Sequence, residues 1–345
     1  MSAYDGATLG ERMGSHFGGS TEHLYGVLVR DLAADWERRG VVRDILAGRE
    51  DASPGDMVQL RLLAGIHRIV LRGDAPELAT FYPSVGGTAD RYAVWPTLAS
   101  VLREHVAELR AALDVAPQTN EVGRSVALLA GLSEAVRRRG IRQVRLLEPG
   151  ASAGLNLLVD RFRFEGDGWS AGPRDAPLVL TGCAAPGFAP EHFEVVERRG
   201  CDLEPFDAAT AQGEAHLRSF IWPHMPERDG RLVAALATLR EHPVVIDRAP
   251  AAEWVRDQLA STAPDGVLTV VWHSITRQYW PTAEYVAMLS AIDDARSRMP
   301  LVRVALEDPH PLPAAGTWRP QIEVDDDVIG HCTHHGPPLD LSLAT

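Results

Sequence analysis

The chain has 345 residues, 45% of them hydrophobic, and a formal net charge of −13. This length predicts one large α/β domain together with an additional domain. The negative charge argues against a nucleic-acid partner or an anionic membrane surface, because both bind basic surfaces. No apolar run reaches the roughly 18 residues of a membrane span, and the polar N-terminus does not have the apolar core of a secretion signal.

The basic and sulfur-containing residues restrict the chemistry further. All 34 basic residues are arginine, which excludes Schiff-base, pyridoxal-phosphate and Walker-lysine chemistry. The three cysteines, an odd number, lie far apart in the chain at Cys183, Cys201 and Cys332. This pattern argues against a disulfide framework and predicts a cytoplasmic protein.

Apolar residues recur at helical spacing in three stretches near the start of the chain, at 24–36, 57–66 and 95–113. A loop that contains Gly86 and Gly87 separates the second stretch from the third. The pattern therefore predicts a helical N-terminal domain over residues 1–115.

Residues 116–345 are predicted to form the α/β domain. A helix capped by Thr119 or Asn120 runs to about residue 138. The strands that follow alternate with helices, which is typical of a doubly wound, mostly parallel sheet. These strands are predicted at 143–147, 193–197, 243–246, 267–272 and 301–306.

Two segments depart from that alternation. Residues 163–190 are rich in glycine and proline and are predicted to be an insertion, with a hairpin near 178–180. Residues 321–324 and 339–343 are predicted to pair as antiparallel strands at the end of the domain.

The most informative stretch lies at 148–154. Glu148 ends the first predicted strand, and Gly150 and Gly154 form a tight turn before a predicted helix. Glycines let a ligand approach the backbone where a side chain would block it. The helix N-terminus offers unpaired N–H groups and a positive dipole end. The Glu148 carboxylate can accept hydrogen bonds from a cationic or hydroxylated ligand.

This turn lacks the middle glycine of the dinucleotide-binding fingerprint. It resembles the first motif of the class I S-adenosylmethionine-dependent methyltransferases, in which an acidic residue precedes a glycine turn. The resemblance implies a Rossmann-like methyltransferase core, S-adenosylmethionine as the cofactor and a small-molecule substrate. It assigns Glu148, Gly150, Ser152 and Gly154 to cofactor binding.

The same family places an acid at the end of the second strand, for the ribose hydroxyls, and often another after the third strand, near the adenine. Glu197 matches the first position and Asp247 the second, while Asp202 is the alternative for either. Asn120 and Arg124 precede the first strand by one helix. If that helix packs beside the turn, Arg124 pairs with the cofactor's carboxylate; a helix cap and a surface arginine are the alternative.

The candidate base is His273, which directly follows the apolar strand at 267–272. Ligands of open α/β sheets bind at the carboxyl ends of the strands. A histidine there can accept the proton that a nucleophile loses during methyl transfer. A helix cap is the alternative role. Four polar residues complete the predicted site: Tyr279 as a second catalytic group, and Ser274, Gln278 and Glu307 as substrate contacts.

Most of the chain also resembles an uncharacterised bacterial family known chiefly from actinobacteria. Its members share the segment 118–124, the glycine turn followed by Asp160 and Arg161, the stretch around His273, and the pair His335-Gly336. This resemblance implies a methyltransferase-like core, but the family has no established reaction to transfer.

Two other functions stay open. One is a binding protein that keeps the fold without catalysis. The other is a serine hydrolase, because residues 150–154 also spell the G-x-S-x-G nucleophile elbow around Ser152. The chain order of Ser152, Asp247 and His273 permits a triad, although an acid two residues before the first glycine suits cofactor binding better.

Histidines cluster near the C-terminus at His331, His334 and His335. On a strand only His331 and His335 would share a face. Zinc needs three or four converging ligands, so no metal is predicted, although these histidines stay open as ligands. The sequence also leaves open whether the chain acts alone or as a homodimer.

Overall fold

The computed structural model describes residues 8–261, 263–313 and 318–341. Contacts among these residues divide the chain into two units. The first takes the described residues up to Thr119 together with Ala211–Gly230, and the second takes Asn120–Thr210 and the described residues from Arg231 onward. The sequence had placed the whole of 116–345 in one domain, whereas Ala211–Gly230 groups with the N-terminal helices.

The first unit is helical. Its core is a cluster of buried apolar side chains that includes Leu28, Leu62 and Leu102. The third predicted helix is two helices, because His105 leaves helical geometry at φ −111° and ψ 24°. The helices are α1 (Leu9–Ser15), α2 (Leu24–Glu37), α3 (Val41–Ile45), α4 (Val58–Leu71), α5 (Pro76–Ala79), α6 (Trp95–Glu104), α7 (Val106–Ala112) and α9 (Ala211–Ser219). The chain passes between the units within α10 (Pro226–Glu241).

The second unit is built on an eight-stranded, mostly parallel sheet with the order β11-β10-β9-β8-β7-β1-β5-β6. The mixed α/β architecture with a mostly parallel sheet is confirmed. The parallel strands are β1 (Gln143–Pro149), β5 (Glu194–Asp202), β6 (Val245–Arg248), β7 (Val267–Ser274) and β8 (Leu301–Glu307). All five predicted parallel strands exist, and each extends beyond its predicted carboxyl end.

Helices cover both faces of this sheet. Leu301 of β8 packs in one apolar cluster with residues of α11 (Ala251–Ala260) and α12 (Thr282–Arg296). The opposite face of β8 meets α8 (Ser125–Arg139), since a side chain added at Gly131 would overlap Val304. Side chains three apart on a strand point to opposite faces, so α8 and the α11–α12 pair lie on different sides.

The insertion forms its own three-stranded sheet in the order β3-β2-β4. The strands are β2 (Arg163–Gly166), β3 (Trp169–Ala171) and β4 (Val179–Leu180). The hairpin joins β2 to β3, and β4 pairs parallel to β2. The predicted hairpin near 178–180 is therefore wrong; Gly168, at φ 83°, sits in the actual turn.

The C-terminal part of the sheet is antiparallel and has three strands: β9 (Gln321–Val324), β10 (Asp327–Thr333) and β11 (Gly336–Leu341). The predicted pairing of 321–324 with 339–343 is wrong, because β10 lies between them. Residues 342–343 of that prediction fall outside the described residues. β10 was not predicted, because its sequence does not alternate clearly between apolar and polar residues. Of the described residues, none forms a helix long and apolar enough to cross a membrane.

Candidate functional site

The turn after β1 has left-handed backbone geometry at three positions: Gly150 (φ 72°), Ser152 (φ 52°) and Gly154 (φ 74°). Glycine adopts this geometry without strain, whereas an L-residue such as Ser152 pays about 1–2 kcal/mol. The turn is tied to β5, since Ser152 N donates to Asp202 Oδ2 at 2.8 Å. Strain held by surrounding structure is typical of functional sites.

Replacing Ser152 by glycine is expected to stabilise the ligand-free protein by up to about 1 kcal/mol, because it relieves the left-handed strain. Urea unfolding measures this change. Ser152→Ala removes the same unsatisfied hydroxyl but keeps the left-handed strain, so it is the matched control, and the glycine variant should be the more stable of the two. Equal stability of the glycine and alanine variants would contradict the strain argument.

The two glycines are required by side chains of the chain itself. A Cβ at Gly150 would lie 2.8 Å from Thr276 Cγ2 and 3.3 Å from Trp280 Cζ2. A Cβ at Gly154 would lie 2.6 Å from Ile246 Cδ1. The sequence argument attributed both glycines to close approach of a ligand, and the structure gives a different reason for them.

A short 3₁₀ helix, Leu155–Arg161, follows the turn, and Leu158 inside it is not helical. The predicted α-helix and its dipole are therefore wrong at this place. Leu155 N donates instead to Asn120 Oδ1 at 2.8 Å. Asn120 reaches the turn as expected, but it does not cap its own helix, because α8 begins later, at Ser125.

Glu148 is buried near the end of β1, with 2% of its surface exposed. Burial raises the pKa of its carboxyl from the ordinary 4.5 to about 8, and the nearby Asp202 charge adds to the rise. Trp272, Asn156 and Arg124 oppose the rise without cancelling it. Burial therefore favours the protonated form of this carboxyl.

Asp202, not Glu197, ends the second strand of the parallel order. β5 continues for five residues beyond Glu197. The Glu197 side chain is 47% exposed and pairs with Arg145 at 3.0 Å. The expectation that Glu197 closes its strand is wrong. Asp202 Oδ2 contacts the glycine turn through Ser152, and its Oδ1 accepts from Glu204 N at 3.1 Å.

Asp247 lies in β6, but its carboxylate is already engaged. Arg199 donates to both oxygens at 2.8 and 3.0 Å, and Trp254 Nε1 donates to Oδ2 at 2.7 Å. The Arg199 hydrogen bond, with that of Trp254, lowers the pKa of Asp247 despite partial burial. Both carboxylate oxygens of Asp247 are therefore already paired with side chains of the chain itself.

His273 and Glu307 form a buried pair across β7 and β8. His273 Nδ1 lies 2.8 Å from Glu307 Oε1, and His273 has no exposed surface. The same Oε1 accepts from Thr276 N at 3.0 Å, Thr276 Oγ1 at 3.2 Å and Arg277 N at 3.4 Å. Glu307 thus fixes both the imidazole and the loop after β7. The geometry makes it a positioning residue, where the sequence had predicted a substrate contact.

Aromatic side chains surround this imidazole. The rings of Trp280 and Tyr285 lie 5.5 and 6.0 Å from the His273 ring, centroid to centroid. Gln278 and Tyr279 are exposed instead, Tyr279 by 76%. The structure does not bring the predicted Tyr279 and Gln278 to the base. The nearby aromatics were missed because their spacing after His273 follows no sequence motif.

Arg124 lies near three parts of the candidate site: the segment at His334, the end of β7 at Ser274, and Glu148 of β1. Its Nε donates to His334 O at 2.9 Å, and its guanidinium NH1 donates to Ser274 O at 3.3 Å. Arg124 is therefore not a plain surface residue, and the helix does place it near Glu148, as the effect on that carboxyl shows. Ser274 is buried and contributes its carbonyl here.

A cavity of about 430 Å³ lies beside the turn. It is lined mostly by apolar groups, including Ala153, Phe206, Val244 and Ile246. Cavities of about 300–1,000 Å³ commonly hold small ligands. The cavity thus adjoins both the turn and the end of β5.

Four buried polar atoms at the carboxyl ends of β1 and β7 and in the turn make no hydrogen bond within the described residues. They are Oε2 of Glu148, Oγ of Ser152, Nε1 of Trp272 and Nε2 of His273. Buried polar groups nearly always have partners, and one left alone costs about 1–3 kcal/mol. Trp272 and His273 are consecutive on β7 and therefore point to opposite faces of the sheet. The unsatisfied atoms of Glu148, Ser152 and Trp272 thus mark a candidate site for a polar ligand near the glycine turn, and His273 lies on the other face.

The hydrolase triad is not assembled. The Ser152 hydroxyl makes no hydrogen bond to any residue that the structure describes, His273 bonds to Glu307, and Asp247 is held by Arg199 and Trp254. An elbow serine needs an imidazole within hydrogen-bond reach. The geometry thus gives no support to the hydrolase alternative.

The C-terminal histidines each have a separate neighbour. His334 Nε2 lies 2.8 Å from Asp308 Oδ1, and His335 Nδ1 lies 3.3 Å from Glu121 Oε2. His331 pairs in register with Asp340 on β11. Among the described residues, no three potential ligands of His, Cys, Asp or Glu type converge on one point.

Comparison with protein families gives one match, over residues 11–340, to an uncharacterised protein family conserved in bacteria, DUF2332. The chain belongs to this family. The family description names no activity. No curated protein and no solved structure matches the chain.

Proposed function

We propose that this DUF2332 member binds S-adenosylmethionine at the carboxyl ends of β1 and β7 and transfers its methyl group to a small molecule. The observation that carries the proposal is the presence of unsatisfied buried polar atoms on Glu148, Ser152 and Trp272 near the glycine turn. The order β6-β5-β1-β7-β8 supports it, since it corresponds to the doubly wound order 3-2-1-4-5. In such sheets ligands bind where the order reverses, which here is between β1 and β7.

The residues present fit the proposed cofactor. Glu148 and Ser152 offer unsatisfied polar atoms for the methionine part. Asp202 retains acceptor lone pairs for ribose hydroxyls. The apolar cavity that contains Phe206 and Ile246 suits a purine ring. Glu197 and Asp247 are not included in the proposed cofactor site, because each carboxylate forms an ion pair with an arginine.

The sulfonium methyl group of the cofactor is already activated, so the protein has to align donor and acceptor and exclude water. His273 Nε2 is the proposed proton acceptor, with Glu307 holding the opposite nitrogen as N–H. His273 is fully buried near Trp280, so the proposal includes movement of the loop at 275–280. Ile275, left-handed at φ 52° although β-branched, is a strained position in that loop.

Asp202→Asn is expected to weaken S-adenosylmethionine binding about tenfold, or ~1.4 kcal/mol. The single oxygen of asparagine can still accept from Ser152 N and keep the turn tied to β5, but the acceptor for Glu204 N and one charged acceptor for the ribose are lost. Isothermal titration calorimetry measures the affinity. Glu197→Gln, on the same strand, is the matched control and should bind like wild type. Absence of any heat or thermal shift with millimolar ligand would refute the proposal.

A binding protein without turnover is the second candidate, favoured by the complete burial of His273. The two functions differ in product. Incubation with S-adenosylmethionine and a bacterial small-molecule extract should yield S-adenosylhomocysteine if the chain is a transferase. Binding without any S-adenosylhomocysteine formation favours the binding protein.

A further inference from the structure

An aromatic cluster within the first unit joins the start of α2 to the residues between α9 and α10. The ring of Phe17 lies 4.7 Å from that of Trp222 and 4.8 Å from that of His23, centroid to centroid. The rings of His23 and His224 are stacked at 4.1 Å with an interplanar angle of 13°. All four side chains are partly buried. Together they form an aromatic clasp between two segments that are distant in sequence.

The segment that carries Phe17 has a strained backbone. Phe17 has φ 61°, and Gly18 and Gly19 follow at 63° and 74°. An L-residue such as Phe17 adopts this left-handed geometry only at a cost in free energy. A Cβ at Gly26 of α2 would overlap the backbone oxygen of Ser20, so the same segment lies directly against the first turn of that helix. The contacts of the aromatic clasp therefore oppose a strain that favours release of the segment.

His23 is the N-cap residue of α2 and caps the helix through its imidazole. Gly26 N donates to His23 Nδ1 at 3.1 Å. A ring nitrogen that accepts this bond carries no proton, whereas both nitrogens of an imidazolium are donors. Protonation of His23 at Nδ1 therefore removes the acceptor of the Gly26 N–H, one of the unpaired groups at the start of the helix. It also places a positive charge at the positive end of the helix dipole.

The second imidazole of the stack also favours the neutral form. Nδ1 of His224 is buried and has no hydrogen-bond partner among the described residues. The imidazolium form of His224 would leave a buried N–H without an acceptor, which is costly. Burial lowers the pKa of His224, and the adjacent His23 lowers it further. The closed stack is therefore compatible with two neutral rings and not with two charged ones.

The other titratable side chains beside the aromatic clasp do not reverse this preference. Burial is the main cause that lowers the pKa of His23, while Glu22 raises it and Arg91 lowers it. The ring of His16 lies 4.3 Å from that of Phe17, and burial lowers the pKa of His16 as well. Hydrogen bonding, stacking and burial thus all favour neutral imidazoles.

We propose that His23 and His224 form a pH-sensitive switch, which keeps the aromatic clasp closed when both imidazoles are neutral and opens it when they are protonated. On acidification a proton from solvent binds His23 Nδ1, and the hydrogen bond from Gly26 N breaks. A second proton on His224 makes the two stacked rings repel each other. Opening frees the strained segment around Phe17 from Trp222. All of these residues belong to the first unit, so the switch does not depend on the proposed function.

The pH range follows from the direction of the two pKa shifts. The ordinary pKa of histidine is 6.5, and the pKa values of His23 and His224 in the folded protein lie below it. The stabilisation by neutral rings is therefore present above pH 6.5 and is lost as pH falls through the lowered pKa values. From about pH 7.5 to about pH 5.5, each histidine shifts the equilibrium toward the open form by up to about tenfold.

Hydrogen–deuterium exchange of the full chain, corrected for the intrinsic pH dependence of exchange, tests the switch. Amides of residues 16–28 should lose protection by more than about tenfold over this pH range. His23→Asn keeps an N-cap acceptor that does not titrate, and His224→Phe keeps an aromatic ring that carries no charge. Each variant should show a smaller response than wild type, and the double variant should show almost none. His242→Asn, at an exposed histidine, is the matched control and should respond like wild type.

Three results would overturn the switch: equal protection of residues 16–28 at both pH values, a full response in His23→Asn, or a full response in His224→Phe. Nitrogen NMR of the wild-type protein provides a test that needs no variant. At about pH 7.5 it should show His23 with its proton on Nε2. A proton on Nδ1 of His23 at this pH would show that the imidazole does not cap α2, and it would also overturn the switch.

Discussion

Gly123→Ala is expected to destabilise the protein by about 3 kcal/mol or more, at the upper end of overpacking substitutions. A Cβ at Gly123 would overlap the backbone oxygen of His335, and one at Gly336 would overlap the backbone oxygen of Gly123. No change of rotamer relieves a clash with backbone. The two glycines therefore join the segment before α8 to the turn between β10 and β11. The shift in thermal midpoint measures the effect.

Gly230→Ala is the matched control. Gly230 lies within α10, and a Cβ there meets nothing within 4 Å. Alanine in a helix is favoured over glycine by about 0.8–1.0 kcal/mol, so this variant should gain stability. A Gly123→Ala protein as stable as wild type would show that the two segments are not in backbone contact.

The same contact explains two motifs that the sequence singled out without a reason. The segment 118–124 and the pair His335-Gly336 are more than 200 positions apart, yet Arg124 donates to His334 O. The local sequence pattern does not indicate this contact, because it depends on the antiparallel pairing of β10 and β11 at the end of the sheet. A resemblance marked these residues; only the fold gives their physical role.

The parallel strands were predictable, because each contains a short apolar run followed by a polar residue. Their carboxyl ends were not, and for this reason Glu197 was expected to close β5, where the strand ends at Asp202. Val195 and Val196 end the apolar run of β5, so Glu197 looked terminal, yet hydrogen bonding to β1 continues to Cys201. The next two residues of β5 are Arg198 and Arg199, which are not typical of a buried strand. Their charges are paired with Asp160 and Asp247, and these partners cannot be recognised from the sequence because they lie far away in it.

The glycine turn shows a different limit. The sequence correctly places a tight turn after β1, but the residues that contact Gly150 come from the loop after β7. Likewise His273 was identified from its place after an apolar strand, whereas its pairing with Glu307 depends on the parallel register of β7 and β8. Strand ends are visible in one sequence, but the contacts among different strand ends are not.

Glu307→Ala is expected to cost about 3–5 kcal/mol, as when one partner of a buried pair is removed. Its Oε1 is the shared acceptor for His273 Nδ1 and for the Thr276 and Arg277 amides. The His273 donor would stay buried without an acceptor, which carries a penalty of about 1–3 kcal/mol, and the two partly buried amides would lose theirs as well. Urea unfolding measures the cost, and Glu307→Gln, which keeps an oxygen at this position, should restore most of it.

The neighbouring residue supplies the comparison that makes this test specific. Asp308 also pairs with a histidine, His334, at the same 2.8 Å, but the two side chains are 28% and 42% exposed, against 5% and 0% for Glu307 and His273. Exposed pairs contribute about 0–1 kcal/mol, so Asp308→Ala should cost little. If Glu307→Ala and Asp308→Ala lowered the free energy of unfolding equally, burial would not determine how strongly the Glu307–His273 pair stabilises the fold. In wild type, nitrogen NMR should show His273 carrying its proton on Nδ1, which leaves Nε2 as the basic atom that the proposed reaction requires.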